Sequence, residues 1–395
     1  MANIQTLHER ASEALINGQN DRALDFYKEI LNEKPDDEIA LSQLMDLYYD
    51  TNKELYYLTR ANLNVVQQKL EHAINDCKKA INTNTDSLEA NVKLARLYKI
   101  TNKNLRAIDA FVRVLELVQD DFDTYVELAD LYLVENSPQS AVQALQKGVD
   151  AFDAATGASA IKKKEFLQNM LAKVYFDLGD YENAAATAVD DGLKIKILLQ
   201  KGDSAEAKKM LDAIKSDKLN KEQKASYYSL LAQYYYNEEK LDEALEAVDK
   251  YVDVNQPDAV SFQMKALIYA SRGLEFESAS NWGYCNKVRG KFEEAIVEFM
   301  HAYHSKPDDK NNLIELANLY EKTGEKFTAI EFWQKVYEID GDENAKNILG
   351  DFYFEQGDYG LAEKYGKGRK TFSKNEELLY ESEGLIGKIM KMFNR

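Results

Sequence analysis

The chain has 395 residues and a formal net charge of −18 at pH 7, with 45% hydrophobic and 30% charged residues. This acidic balance excludes a general nucleic-acid binder, because the phosphate backbone rewards clustered Lys and Arg side chains. The first ten residues contain no basic region followed by an apolar run. Nowhere does an uninterrupted apolar stretch reach about 18 residues, so the sequence predicts a cytoplasmic protein.

An internal repeat runs through the whole chain. Ten alanines form a ladder in which three steps are 34 residues and one is 33. Most of them share one frame, in which a small residue, a tyrosine, a Gly or Asn and the alanine recur at fixed spacing, as in Ala317, Tyr320, Gly324 and Ala329. The apolar periodicity predicts a helix on each side of the Gly or Asn. The ten alanines are Ala23, Ala73, Ala107, Ala141, Ala184, Ala207, Ala244, Ala295, Ala329 and Ala362.

This frame resembles the tetratricopeptide repeat (TPR) from end to end. The resemblance implies an all-α fold, a right-handed α-solenoid of about ten TPR-like helix-turn-helix repeats. One hairpin cannot bury both faces of its helices, so each hairpin must stack on the next to complete a core. We therefore expect residues 1–383 to form one continuous TPR solenoid.

Two repeats carry insertions before their second helix. The first, near residues 53–68, is rich in Leu, Tyr and Val and lacks Gly and Pro, so it could extend both helices by about eight residues, roughly 12 Å each. The second, near residues 274–290, contains Trp282, Gly283 and Gly290, and an extra helix is an equally good interpretation there. Each insertion has two interpretations. It lengthens a hairpin that packs on its neighbour, or it builds a binding surface, for which Trp282 of the second insertion is the candidate interface anchor.

The repeat is also irregular near residues 155–205. The step from Ala141 to Ala184 is 43 residues and contains a stretch of small residues at 154–159 that predicts a long loop. The next step, to Ala207, is only 23 residues. We therefore expect a short second helix, ended near Asp190, and a bend or loosening of the stack in this region.

The C-terminal end reverses the charge of the chain. Ser373 and Glu376 form a capping-box pattern that predicts a capping helix near residues 375–383, which Gly384 should end. Residues 384–395 form a basic amphipathic tail that is too short to span a membrane. It either folds back on the last repeat as a cap or docks on a membrane surface or a partner protein. Its apolar face has Leu385, Ile386, Ile389, Met390 and Phe393, and its basic face has Lys388, Lys391 and Arg395.

The sequence contains no pattern of residues that predicts catalysis. His301 and His304 are close in sequence, but two ligands do not make a metal site. No P-loop, Gly-x-Gly-x-x-Gly, Gly-x-Ser-x-Gly or Cys-x-x-Cys pattern occurs. Cys77 and Cys285 lie far apart in sequence and suggest no disulfide framework. We therefore predict no enzyme, no catalytic, cofactor-binding or metal-binding residues, and no cofactor.

The TPR resemblance implies a concave groove lined by the first helices. On each first helix, the residue directly after the frame tyrosine and the residue two positions before it are expected to face this groove. Aromatic and acidic side chains occupy these positions, which favours a protein or peptide partner that is basic or amphipathic. The alternative is an acidic surface that is merely solvated. One TPR subclass holds the carboxylate end of chaperone tails with Lys, Arg and Asn side chains of the first helices. No such cationic set occurs around Asp130 and Asn318, so the sequence does not favour that type of ligand. With Trp282, the partner-binding candidates are Asp46, Tyr49, Asp130, Phe176, Tyr236, Asp351 and Phe354.

These patterns predict a non-enzymatic protein–protein interaction scaffold that binds its partners in the TPR groove and through the insertions. One alternative is a peripheral membrane adaptor that the basic tail recruits to a membrane surface through a weak contact. Another is a regulatory subunit of an enzyme encoded elsewhere. The sequence does not determine the oligomeric state or the identity of the partner.

Overall fold

The computed structural model describes residues 4–153 and 157–367. Within these ranges the fold is all-helical, and the helices pack as stacked antiparallel pairs, which confirms the predicted all-α fold. The chain divides into two compact units, Met1–Lys201 and Gly202–Arg395, where the repeat spacing predicts one continuous stack. The two units are called unit 1 and unit 2 below, and each is described by itself.

The described helices of unit 1 run in chain order from the N-terminus. They are α1 (Ile4–Ile16), α2 (Asn20–Glu33), α3 (Glu38–Tyr48), α4 (Lys53–Val66), α5 (Leu70–Thr83), α6 (Leu88–Ile100), α7 (Asn104–Leu117), α8 (Phe122–Val134), α9 (Pro138–Ala151), α10 (Ala158–Asp177), α11 (Tyr181–Thr187) and α12 (Asp191–Lys201).

The described helices of unit 2 continue the numbering. They are α13 (Ser204–Ala213), α14 (Lys221–Asn237), α15 (Leu241–Asn255), α16 (Ala259–Ser271), α17 (Glu275–Val288), α18 (Phe292–Ser305), α19 (Lys310–Lys322), α20 (Lys326–Asp340), α21 (Glu343–Glu355) and α22 (Tyr359–Lys364). No helix of the described part is long and apolar enough to cross a membrane.

The hairpin turns share one backbone geometry. In the turn between α6 and α7, Asn102 has a left-handed φ of 55°, and the next amide, of Lys103, donates to the carbonyl of Tyr98 at 2.8 Å. This closure satisfies a carbonyl at the end of the first helix and reverses the chain. We call the left-handed residue of each such hairpin its turn residue. The turn residues are Gly18, Gln68, Asn102, Asn136 and Gly179 in unit 1, and Glu239, Gly273, Gly290, Gly324 and Gly357 in unit 2.

The ladder alanines lie where helices cross closely. Nine of the ten are on the second helices of hairpins, Ala207 is on α13 at the start of unit 2, and each is at most 3% exposed. The small residue of the first helix is equally constrained in one clear case. A Cβ atom added to Gly283 of α17 would lie 2.8 Å from the ring of Phe299 on α18. Small residues at these positions therefore permit the backbones to approach.

The first insertion does not extend a hairpin. Asn52 caps a new helix, because its side chain accepts the amide of Leu55 at 3.0 Å. That helix, α4, ends at the turn residue Gln68 and pairs with α5, so it is the first helix of the hairpin that contains Ala73. The extra residues therefore add one separate helix, α3, which the side chain of Asp37 caps.

The second insertion also contributes a whole helix. Helix α16 ends at the turn residue Gly273, and α17 ends at the turn residue Gly290, so both end as first helices do. Helix α17 packs against α16 and against α18. The extra-helix interpretation of this insertion is the one that the structure adopts.

The irregular region consists of one long and one short helix. Helix α10 has 20 residues and α11 only 7. Helix α11 ends before Asp190, whose side chain accepts the amide of Leu193 at the start of α12 at 2.7 Å. The loop predicted at 154–159 overlaps residues 154–156, which lie outside the described residues, as do the predicted capping helix near 375–383 and the tail 384–395.

Candidate partner-binding surface

The first helices of unit 1 present a strip of mostly apolar side chains, four of which are exposed aliphatic residues. The strip consists of the residues three and two positions before the turn residue on α4, α6, α8 and α10. Ile100 is 63% exposed and Val134 70%, compared with 39% for Val65 and 42% for Leu133. Contiguous exposed apolar groups often mark interaction sites. The unit 1 strip contains Val65, Val66, Lys99, Ile100, Leu133, Val134, Phe176 and Asp177.

Contacts between consecutive first helices place the parts of the strip side by side. An amide oxygen on α4 accepts a hydrogen bond from a lysine ammonium of α6, and an ion pair joins α6 to α8. One aromatic ring of α8 meets one ring of α10 edge to face, with the ring centroids 5.6 Å apart. The pairs are Asn62 and Lys93, Lys99 and Glu127, and Phe122 and Phe166. These contacts place the four first helices next to one another in unit 1.

The charges along the strip are mixed in sign. Lys99 lies within the strip, but its ammonium is paired with Glu127. One helical turn earlier, the exposed side chains alternate between basic and acidic, in the order Arg96, Asp130 and Lys173. Asp130, a predicted candidate, thus borders the apolar residues rather than belonging to an acidic surface.

Phe176, also a predicted candidate, anchors one end of the strip. Its ring meets the ring of Tyr181 edge to face at 5.6 Å, and the ammonium of Lys196 lies 5.3 Å from its centroid. The side chain is half-buried. Because packing restrains it, this ring would lose little conformational entropy on contact with a partner.

Asp46 and Tyr49 do not occupy groove positions of a hairpin. Both are exposed, but they lie on and just after α3, the additional helix. The ring of Tyr49 contacts the ring of Tyr56 at 5.2 Å, and the ammonium of Lys53 lies 3.8 Å from its centroid. Measured from the turn residue Gln68, the equivalent groove positions are those of Asn62 and Val65 on α4.

The candidates of unit 2 lie on three different helices. The hydroxyl of Tyr236 on α14 accepts a hydrogen bond from Ser271 at 3.2 Å. On α17, Trp282 is half-buried rather than exposed. Asp351 on α21 is exposed and forms an ion pair with Lys367. The ring of Phe354 meets Tyr359 at 5.5 Å, and no hydrogen bond, ion pair or ring contact joins the four candidates among the described residues.

The sequence-based candidates missed the most exposed residues of the strip. Ile100 and Val134 each lie two positions after a frame tyrosine, whereas the groove positions that the sequence predicts are one position after that tyrosine and two before it. The signal was present, because an aliphatic residue recurs at this position on α6 and α8. The tail candidates, Leu385 to Arg395, lie outside the described residues, and their docking role stays a prediction.

The thiols and imidazoles occupy ordinary structural positions. Burial raises the pKa of the Cys77 thiol to about 12, and burial also raises the pKa of Cys285, whose Sγ donates to the carbonyl of Ala259 at 3.3 Å. His301 lies 4.0 Å from the carboxylate of Glu298. In residues 4–153 and 157–367, no group of three or more His, Cys, Asp or Glu side chains is placed to hold a metal ion.

Stacked helical hairpins with one recurrent turn and buried small residues at the helix crossings define a helical repeat protein. Two models described as "Tetratricopeptide repeat" match residues 167–188 and 193–260. The chain is 22% identical over 385 residues to "TPR repeat-containing protein MJ1428" of Methanocaldococcus jannaschii, covering 81% of this chain and 67% of the relative. It is a protein that contains tetratricopeptide repeats.

Several solved structures are also similar to parts of the chain. The structure of Naa15/Naa10 bound to HypK-THB is 14% identical and covers 94% of this chain and 69% of that chain, with a TM-score of 0.38. PilF of Pseudomonas aeruginosa is 12% identical and covers 63% of this chain and 96% of its own, with a TM-score of 0.36. A tetratricopeptide repeat protein of Parabacteroides merdae is 14% identical, covering 80% of this chain and 98% of its own, with a TM-score of 0.30.

Proposed function

We propose that the protein is a non-enzymatic scaffold that binds an amphipathic segment of a partner protein on the unit 1 strip. The observation that carries the proposal is the row of exposed aliphatic side chains at Ile100, Leu133 and Val134, on neighbouring first helices. Binding a partner that covers water-exposed apolar groups lowers the free energy of the system. TPR proteins generally bind other proteins, which supports this use of the surface.

The charges beside the strip determine which amphipathic partner fits. Because the rim alternates Arg96, Asp130 and Lys173, a partner with both signs of charge around its apolar face matches it best. Asp130 selects a Lys or Arg on the partner, and this ion pair should weaken as salt rises. The half-buried Trp282 of unit 2 is a separate candidate contact on the second insertion.

The proposal is tested with peptides that are selected from a random peptide-display library for binding to the parent protein. The double variant Ile100→Glu, Val134→Glu should bind these peptides with an affinity at least about tenfold lower, because two carboxylates would be buried against apolar groups of the peptide. Val297→Glu is the matched control, since Val297 on α18 is 53% exposed but lies outside the strip.

The Asp130→Asn change should lower the affinity of the peptides that contain Lys or Arg and reduce the dependence of that affinity on salt. Peptides that bind the parent and the double variant equally well would contradict the proposed surface. A loss of affinity in Val297→Glu as large as in the double variant would also contradict it.

A further inference from the structure

A cleft opens between α1 and α2 beside their turn. Its volume is about 380 Å³, and its walls include Arg10, Glu13 and Ala14 from α1 and Arg22 and Phe26 from α2. It belongs to the first hairpin, whereas the unit 1 strip lies on α4, α6, α8 and α10. The cleft is therefore a feature separate from the proposed partner-binding surface.

Two positions of the repeat explain why the cleft exists. They lie four residues before and eight residues after the turn residue. In the hairpin of α19 and α20 these positions hold Tyr320 and Phe332, whose rings stack at 5.5 Å with an interplanar angle of 8°. Tyr353 on α21 and Tyr365, just after α22, hold them in the next hairpin, and their rings stack at 5.8 Å and 9°. Two aromatic residues at these positions thus form a stacked pair.

Other hairpins fill the same positions in two ways. In the hairpin of α4 and α5 they hold Asn64 and Asp76, and the amide of Asn64 donates to the carboxylate of Asp76 at 2.9 Å. In three further hairpins these two positions hold a tyrosine and an alanine, so the tyrosine is the only ring of the pair. These pairs are Tyr98 with Ala110, Tyr132 with Ala144, and Tyr235 with Ala247.

The first hairpin has the reverse combination, Ala14 on the first helix and Phe26 on the second. A ring on the second helix alone does not fill the space between the helices, since the cleft is open beside Ala14 and Phe26. Phe26 is half-buried, and Ala14 is only 5% exposed. The cleft therefore lies where a first-helix tyrosine would stack on the ring of Phe26.

The rim of the cleft is cationic in an acidic chain. Arg10 and Arg22 together carry two positive charges against the single negative charge of Glu13. Arg22 donates one hydrogen bond to Gln19 at 2.9 Å, and Arg10 forms no ion pair with any of the described residues. Exposed guanidinium groups beside an aromatic wall favour a planar ring that is accompanied by a carboxylate.

We propose that this cleft binds an aromatic side chain of a partner protein that is flanked by acidic residues. The ring stacks on Phe26, in the place that a frame tyrosine takes in other hairpins. The neighbouring carboxylate meets the guanidinium groups of Arg10 and Arg22. The site is a second contact point, on the first hairpin, and it does not depend on the unit 1 strip.

The test uses the acetylated and amidated pentapeptide Gly-Glu-Phe-Asp-Gly, with 4-fluorophenylalanine as its aromatic residue. Its affinity for the full chain is measured from the broadening of the ¹⁹F resonance, which detects weak complexes. A peptide with Ala in place of Phe should not compete for the site. A peptide with Gln and Asn in place of Glu and Asp should bind about tenfold more weakly, because its charge-assisted hydrogen bonds are lost.

Three variants decide the location of the site. Ala14→Tyr supplies the missing ring and should both abolish binding and raise the melting temperature. Arg22→Gln should weaken binding about tenfold, whereas Lys28→Gln, an exposed cation of α2 outside the cleft, should not. Binding that survives Ala14→Tyr, an equal loss in Lys28→Gln, or no broadening up to about 5 mM peptide would each overturn the proposal. If Ala14→Tyr fails to fold, the pair of α2 variants still decides.

Discussion

At the scale of single residues, Asp37 shows how one carboxylate can join three helices. It caps α3 by accepting the amide of Ala40 at 3.0 Å, and it contacts His8 of α1 at 3.2 Å and Lys34, next to the end of α2, at 3.3 Å. Burial alone would raise the pKa of Asp37. The hydrogen bonds from Ala40, His8 and Lys34 outweigh it, so the pKa lies below its ordinary value.

We expect Asp37→Asn to lower the stability of the protein at pH 7 by about 1 kcal/mol. Asn keeps the capping oxygen but removes the charge. Because the folded-state pKa of Asp37 is lowered, its contribution is complete above the ordinary value of about 3.9 and is lost as pH falls through the folded value. The difference between parent and variant in urea unfolding should therefore shrink at acidic pH.

Asp36→Asn is the control for this prediction, since Asp36 is adjacent in sequence but exposed. If Asp36→Asn lowered stability as much as Asp37→Asn, a general charge effect would account for the result. A difference that stayed constant from neutral to strongly acidic pH would also count against the assigned role of Asp37.

At the scale of elements, a buried ion pair joins α4 to α5. Nε of Arg60 donates to Asp76 at 2.9 Å, and Asn64 donates to the same carboxylate at 2.9 Å. The hydrogen bond to Asp76 raises the pKa of Arg60, although burial opposes this. Asp76 is only 4% exposed. Asn64 and Asp76 stand where several other hairpins have a tyrosine on the first helix and an alanine on the second. The pairing of these polar groups with Arg60 makes their burial tolerable.

We expect Arg60→Met to destabilise the protein by about 3 kcal/mol, because it leaves the Asp76 carboxylate buried with one neutral partner. Adding Asp76→Leu to this variant should recover much of the loss, since no charge then remains buried. Urea unfolding of the two variants and the parent measures both effects. A double variant less stable than Arg60→Met would contradict the assigned balance between desolvation and pairing.

At the scale of the whole molecule, the structure is a series of similar hairpins whose apolar clusters are shared between neighbours. One such cluster in unit 1 includes Leu94, Phe111 and Leu128, from α6, α7 and α8. Another, in unit 2, includes Phe299, Leu316 and Trp333, from α18, α19 and α20. Because each repeat interacts chiefly with its neighbours, a local defect should spread only to adjacent hairpins.

We expect Ala107→Leu to cost about 1–3 kcal/mol, because three extra heavy atoms enter a fully buried helix crossing. Amide hydrogen exchange should become faster in α5 to α8, while α19 and α20 keep the protection of the parent protein. Lys103→Ala is the control, since Lys103 pairs with the exposed Glu71 and such pairs contribute little. A larger loss in Lys103→Ala would disprove the packing role of Ala107.

The repeat itself could be predicted from the sequence, because it is a local pattern. The spacing of the ladder alanines, of tyrosines such as Tyr320 and of turn residues such as Gly324 follows from helix geometry and from the left-handed turn. Each copy repeats the same constraint. The sequence therefore determined the all-helical hairpin fold and the positions of the buried alanines.

The tertiary structure decided which helix pairs with which and which side chains stay exposed. Asn64 stands at the frame-tyrosine position of α4, and the predicted groove residues Asp46 and Tyr49 lie on and just after α3 instead. The exposure of Ile100 depends on neighbouring helices, which no local pattern encodes. The same is true of the cleft beside Ala14, because an alanine is ordinary in a helix and becomes a site only where the packed neighbours leave the space of a ring unfilled.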